Sequence, residues 1–93
     1  MLKVNEYFDG KVKSIGIKTE EGEATIGVME KGNYEFGTSK KEIMKIITGR
    51  VSVKLPDSND WKVISASESF IVEANKKFLI NIEIDSSYIC YYK

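Results

Sequence analysis

The stretch Gly32 to Gly49, GNYEFGTSKKEIMKIITG, decides how this chain is read. Tyr34, Phe36 and Thr38 alternate with Glu35 and Gly37. Successive side chains of a strand point to opposite faces, so the first three share one face and that face is aromatic. Ser39-Lys40-Lys41 is a polar turn. Glu42 and the apolar run Ile43 to Ile47 predict a second strand, closed by Gly49. A strand, a turn and a strand with one aromatic face suit the inner wall of a small barrel.

Outward from that stretch the same pattern recurs. Upstream, Asn5 to Gly10 reads as a turn before the first strand, Lys11 to Thr19, in which Gly16 marks a bulge or a close backbone approach. Glu20 to Glu23 predicts a hairpin turn into Ala24 to Met29. Downstream, Arg50 to Leu55 alternates, with Val51, Val53 and Leu55 on one face, and Pro56 ends it because it cannot donate to a ladder. Trp61 to Ile64, Phe70 to Val72, Phe78 to Ile84 and Tyr88 to Tyr92 complete the strands. Turn residues fall at roughly ten-residue intervals, the spacing of a sandwich or barrel. The expectation is one all-β domain over residues 1–93, with at most a helical turn near residues 6 and 41.

Composition excludes several function classes. Fourteen basic residues balance fourteen acidic ones, so nothing draws the chain to nucleic acid or to a membrane surface. The segment MLKVNEYF holds no long apolar run, and no signal peptide or membrane span is expected there. Cys90 is the single cysteine, which leaves no intrachain disulfide and fits a cytoplasmic protein. Zero net charge also lowers the barrier to self-association, and a homodimer is expected. With no histidine in the chain, Ser-His-Asp catalysis is excluded and no metal site is expected.

Two motif-like spacings resemble those of the cupins. Glu42, six residues and Gly49 match the end of the first cupin motif, whose two histidine places fall near Phe36 and Thr38. The second motif's glycine, proline, glycine and histidine places hold Ser67, Glu73, Asn75 and Phe78. The fold expected is therefore a small cupin-like (RmlC-like) β-barrel or jelly roll that lacks the metal-binding histidines.

The whole chain also resembles the small bacterial pyrimidine/purine nucleoside phosphorylases. The matching strings are Asn5-Glu6-Tyr7-Phe8, Gly10 to Gly16 and Gly27-Val28-Met29, then Gly32, Tyr34, Phe36, Thr38, Glu42, Met44 and Gly49. Leu55-Pro56, Trp61, Phe70, Val72, Phe78, Tyr88, Cys90 and Tyr92 continue the match. Ser67, Glu73 and Ala74 depart from it, standing where glycine or proline is expected. Arg50 and Tyr91 also lie outside the pattern. The resemblance implies reversible phosphorolysis of adenosine, guanosine, inosine, xanthosine, uridine, cytidine and thymidine. The products would be free base and α-D-ribose 1-phosphate (or its 2-deoxy analogue). Phosphate would be a co-substrate and no cofactor is expected.

That chemistry needs a phosphate pocket, a grip on the ribose and a surface for the base. Lys11 and Lys13 are the phosphate candidates. Ser14 and Thr38 could add hydroxyl donors, and Arg50, the only arginine, would be a bidentate partner. Glu42 is the candidate catalytic group at the ribose. Tyr34, Phe36, Thr38, Phe78, Tyr88 and Tyr92 are the candidate substrate-binding residues. Competing readings are solvated exterior for the lysines, a backbone-capping turn residue for Glu42 and plain core for the aromatics. Cys90, in an apolar strand, reads as a buried inert thiol. The alternative function is a metal-free cupin that binds a small molecule without turning it over.

Overall fold

β-Branched and aromatic runs separated by glycine, asparagine and aspartate give ten strands, all paired antiparallel. In the computed structural model, which describes residues 1–93, these are β1 Val4–Tyr7, β2 Val12–Thr19, β3 Gly22–Met29, β4 Gly32–Gly37 and β5 Glu42–Thr48. They continue as β6 Arg50–Lys54, β7 Lys62–Ser65, β8 Ser69–Val72, β9 Lys77–Ile82 and β10 Ser86–Tyr92. A six-stranded sheet runs β1-β2-β3-β10-β5-β8, and a four-stranded sheet runs β4-β9-β6-β7. From β3 onward the chain changes sheet at almost every connection, as in a jelly roll. Between the sheets lie buried residues from both, among them Met29, Ile46, Ile80, Ile82 and Val53. Each such side chain contributes about 1.5–3 kcal/mol through burial.

The all-β expectation and the order of strands along the chain hold, with corrections in detail. Residues Val4–Tyr7 form a strand, paired with Val12–Ile15, where a turn was expected. The turn itself is shorter and follows at Phe8, Asp9 and Gly10, all with positive φ. No helical turn forms near residues 6 or 41. Gly16 lies in a regular stretch of the β2–β3 ladder rather than at a bulge, and its N–H donates to the Lys3 carbonyl at 2.8 Å. Trp61, expected to open the strand that runs to Ile64, precedes β7 and is half exposed.

The cupin-like spacings have a backbone meaning. Gly49 turns β5 into β6 with φ +82°, and a Cβ there would stand 2.2 Å from the buried Ser86 hydroxyl. Ser67 and Asn75, which occupy the glycine places of the second motif, adopt φ of 74° and 60°. The left-handed turns are thus kept although the glycines are not. Asparagine tolerates that region, whereas serine carries a cost of about 1–2 kcal/mol there. Ser67→Gly relieves it and loses part of the gain to a more flexible unfolded chain. The variant should gain about 0.5–1 kcal/mol, and its melting temperature should rise by roughly 2–8 °C. A melting temperature unchanged or lowered would show that the Ser67 conformation carries no strain.

Candidate functional site

Strand parity brings one stripe from each sheet to the same end of the sandwich. On β10, Tyr88, Cys90 and Tyr92 point inward. On β5, Glu42 and Met44 do the same and lie opposite Tyr92 and Cys90 in the ladder. From the smaller sheet, Phe36 and Phe78 are direct cross-strand partners whose rings stack with centroids 5.8 Å apart. These side chains, with Tyr7, Ser14 and Gly37, line a cavity of about 110 Å³.

Gly27 makes room for one of its walls. It faces Tyr88 directly across the β3–β10 ladder, and a Cβ at Gly27 would lie 2.5 Å from the Tyr88 ring. An alanine there would force the Tyr88 ring to shift from its place.

Glu42 is the one acidic side chain in the cavity. The Cys90 thiol donates to its Oε1 at 3.5 Å. Burial pushes the Glu42 carboxyl above the usual carboxylate range, and the bond from Cys90 opposes this in part. Burial raises the Cys90 thiol well above its ordinary value, and the Glu42 carboxylate adds to the shift. Tyr88 is raised by the same desolvation. The Tyr92 phenol, hydrogen-bonded to Thr25 Oγ1 at 3.0 Å, is pushed up to about 12, chiefly by burial. The cavity therefore offers neutral O–H and S–H groups around a single carboxyl group, Glu42. Cys90 is buried and protonated, as its place in an apolar strand suggested.

The cavity's donor set does not fit a resident metal ion. The cupin ligand places hold Phe36, Thr38, Glu42 and Phe78. Two of these are hydrocarbon rings, and the Thr38 hydroxyl is engaged elsewhere, donating to Glu73 O at 2.6 Å and accepting from Lys76 N at 3.1 Å. No group of three His, Cys, Asp or Glu converges anywhere in the molecule.

Six of the candidate site residues read from sequence thus meet in one place: Ser14, Glu42, Phe36, Phe78, Tyr88 and Tyr92. Five do not. Tyr34 is buried beside Phe8 and Phe36, and its hydroxyl donates to the Glu30 carbonyl. Thr38 ties its turn to the Ala74-Asn75-Lys76 turn rather than facing the cavity. Lys11 and Lys13 stand on the outer surface, in a shallow hollow with Glu30 and Asp85, and Lys13 pairs with Glu6 at 3.4 Å. They point outward because Val12 and Ser14, which alternate with them, are buried. Arg50 is exposed, on the outward face of β6. Sequence reasoning missed Tyr7 and Met44 as lining residues. Alternation from Glu42 carries the signal for Met44, whereas Tyr7 was hidden by reading its strand as a turn.

A sequence model of the family described as pyrimidine/purine nucleoside phosphorylase matches residues 2–92. A curated protein of that name from Pseudomonas fluorescens is 56% identical over 93 residues, covering 100% of this chain and 99% of its own. Another from Pseudomonas syringae pv. tomato is 55% identical, with 100% of both chains covered. Among solved structures, a Vibrio parahaemolyticus protein of unknown function superposes with a TM-score of 0.95 at 38% identity, covering 100% of this chain and 99% of that one. An RmlC-like cupin from Shewanella frigidimarina superposes with a TM-score of 0.74 at 17% identity over 96% of this chain and 80% of its own, a likeness of fold alone.

The raised Glu42 carboxyl sets a sign for stability against pH. Between its unfolded and folded values the native state holds a proton that the unfolded chain has lost. Stability attributable to this group therefore falls as pH rises through that window, and above it the cost of the buried carboxylate remains. Glu42→Gln removes that cost. Urea denaturation should find the variant more stable than the parent near about pH 7, with the gap closing towards about pH 4, where both side chains are neutral. A gap independent of pH, or one that widens on acidification, would show that Glu42 is not desolvated.

Proposed function

This chain belongs to the pyrimidine/purine nucleoside phosphorylase family, and we propose that it catalyses reversible phosphorolysis of purine and pyrimidine nucleosides. The range proposed covers adenosine, guanosine, inosine, xanthosine, uridine, cytidine and thymidine, with ribose 1-phosphate or its 2-deoxy analogue as the sugar product. The reaction is a pentosyl transfer to phosphate. A phosphate oxygen bonds to C1′, the C1′–N bond breaks with its electron pair on the base, and the proton of hydrogen phosphate ends on the base. The observation that carries this reading is a full-length family match over a cavity in which one desolvated carboxylate, Glu42, lies among Phe36, Phe78, Tyr88 and Tyr92.

The cavity suits the demands of that transfer. Positive charge develops on the sugar as the C1′–N bond loosens, and a carboxylate in a water-poor site stabilises it more than one in solution does. The Cys90 thiol fixes the orientation of Glu42. The stacked pair Phe36 and Phe78 offers a flat surface to a heterocyclic base of either ring size, which supports a broad range. Tyr88 and Tyr92 stay protonated and can donate to sugar or base oxygens.

We propose that the homodimer expected from sequence forms on the outer face of the larger sheet. Val4, Ile15, Ile26 and Ile89 are consecutive cross-strand neighbours on the outer face of the larger sheet. The first three are each at least 41% exposed, and Val28 on the same face is 56% exposed. Net charge is zero, so little long-range repulsion opposes two copies meeting there. Ile26→Lys should convert a dimer to a monomer in sedimentation velocity. A parent protein that sediments as a monomer at tens of micromolar removes the dimer.

The principal test is release of free base from uridine and adenosine by EDTA-treated protein, with and without phosphate, read by chromatography together with ribose 1-phosphate. Phosphate-dependent release is expected, and Glu42→Gln should lower kcat by about 10²–10³-fold while the fold is kept. An unchanged rate in that variant removes Glu42 from the chemistry. No release by the folded parent, with thermal stabilisation by the nucleoside, favours a non-catalytic binding cupin instead.

A further inference from the structure

A nucleoside phosphorylase must hold an anion beside the sugar carbon, and the 110 Å³ cavity contains no cationic side chain. It is also small beside the roughly 300–1,000 Å³ of ordinary small-molecule sites. A second hollow adjoins it. Six strands face four, and the inner surface of the larger sheet continues beyond Tyr92 across β3, β2 and the segment leading into β1. There Lys3, Asn5, Lys18, Glu23, Thr25 and Tyr92 border a groove of about 590 Å³. Tyr92 lines both the cavity and the groove, and its hydroxyl meets Thr25 at the boundary.

We propose that this groove holds the phosphate co-substrate, with Lys3 and Lys18 as its cations and Asn5, Thr25 and Tyr92 as neutral donors, on the far side of Tyr92 from Glu42. The inference rests on the phosphorylase reading for the identity of the anion. Three features support it. Neither lysine is in an ion pair, since the ion pairs of the molecule are Lys13 with Glu6 and Lys76 with Asp57. The cations outnumber the single acid of the groove, Glu23, which lies opposite Lys18 in the ladder without closing a salt bridge on it. The outer hollow of Lys11 and Lys13, by contrast, has two acids for its two lysines and does not touch the cavity. A phosphate dianion gains from unpaired ammonium groups and from neutral donors, and is repelled by carboxylates close by.

The test uses inorganic phosphate alone on the ¹⁵N-labelled full chain. Saturable amide shifts are expected at Lys3, Asn5, Lys18, Thr25 and Tyr92. Lys3→Ala with Lys18→Ala should weaken the apparent Kd for phosphate at least tenfold with spectral dispersion intact, Glu23→Gln should tighten it, and Lys11→Ala with Lys13→Ala should leave it alone. In turnover, the Lys3/Lys18 variant should raise KM for phosphate and leave KM for the nucleoside in place. Shifts centred on Lys11 and Lys13, no saturable shift at all, or an unaffected Lys3/Lys18 variant overturns the groove. Saturation of the groove by phosphate in a protein that releases no base leaves the site standing and removes the phosphorylase reading.

Discussion

The last strand holds the molecule together. β10 lies between β3 and β5, so the β1-β2-β3 hairpin stack and the β5-β8 pair belong to one sheet only through its ladders. Until β10 docks, each part exposes an edge and lacks a shared inner face. The same strand carries Tyr88, Cys90 and Tyr92 into the cavity. Completion of the sheet and assembly of the site are therefore one event, and it depends on contacts between residues far apart in sequence. Formation of such contacts is slow because loop closure precedes any gain from pairing.

The docking of β10 also explains why Gly27 is glycine. The centre of a sheet favours β-branched residues, and β3 has them at Ile26 and Val28 on its outer face. On the inner face a side chain at residue 27 would occupy the space of the Tyr88 ring. The ladder accepts the entropic cost of a glycine so that an aromatic ring can lie against bare backbone. In the neighbouring row Thr25 is opposite Cys90, and its hydroxyl reaches the Tyr92 phenol. Two successive inner positions of β3 thus set two of the three β10 side chains.

Alternation made much of this legible. The inward stripe Glu42-Met44, the stripe Tyr88-Cys90-Tyr92 and the aromatic face of β4 follow from period two alone, and the fold class follows from turn spacing. The failures are as physical. Lys11 and Lys13 alternate with Val12 and Ser14, and the apolar parity of Val12 already points them outward; membership in a matching string outweighed that signal. Tyr34 shares a face with Phe36 yet misses the cavity, since it lies two residues along β4 from the Phe36–Phe78 pair, beside Phe8. Lys3 and Lys18 could not be read as neighbours, since the strand that joins them, Val4–Tyr7, looked like a turn. The groove itself exists because the sheets differ in strand number, a property of the whole topology rather than of any segment.

The composition of the cavity limits the chemistry that can be asked of it. Every titratable group singled out there is displaced in the direction that favours its neutral form: Glu42, Cys90, Tyr88 and Tyr92 all lie above their ordinary values, chiefly through desolvation. For Cys90, Tyr88 and Tyr92 this means that the proton stays on and the group serves as a donor. Glu42 is the one acidic side chain there, and burial makes its charge costly. A positive centre forming on a bound sugar would remove that cost, since the carboxylate then gains a partner it lacks in the free protein. Interaction with such a transition state is stronger than with the ground state, which is the condition for rate acceleration. A site of this kind has little capacity for proton transfer of its own, and in the proposed phosphorolysis hydrogen phosphate brings both a charged nucleophile and the proton that ends on the base. The missing histidines are then consistent with the reaction rather than a gap in it.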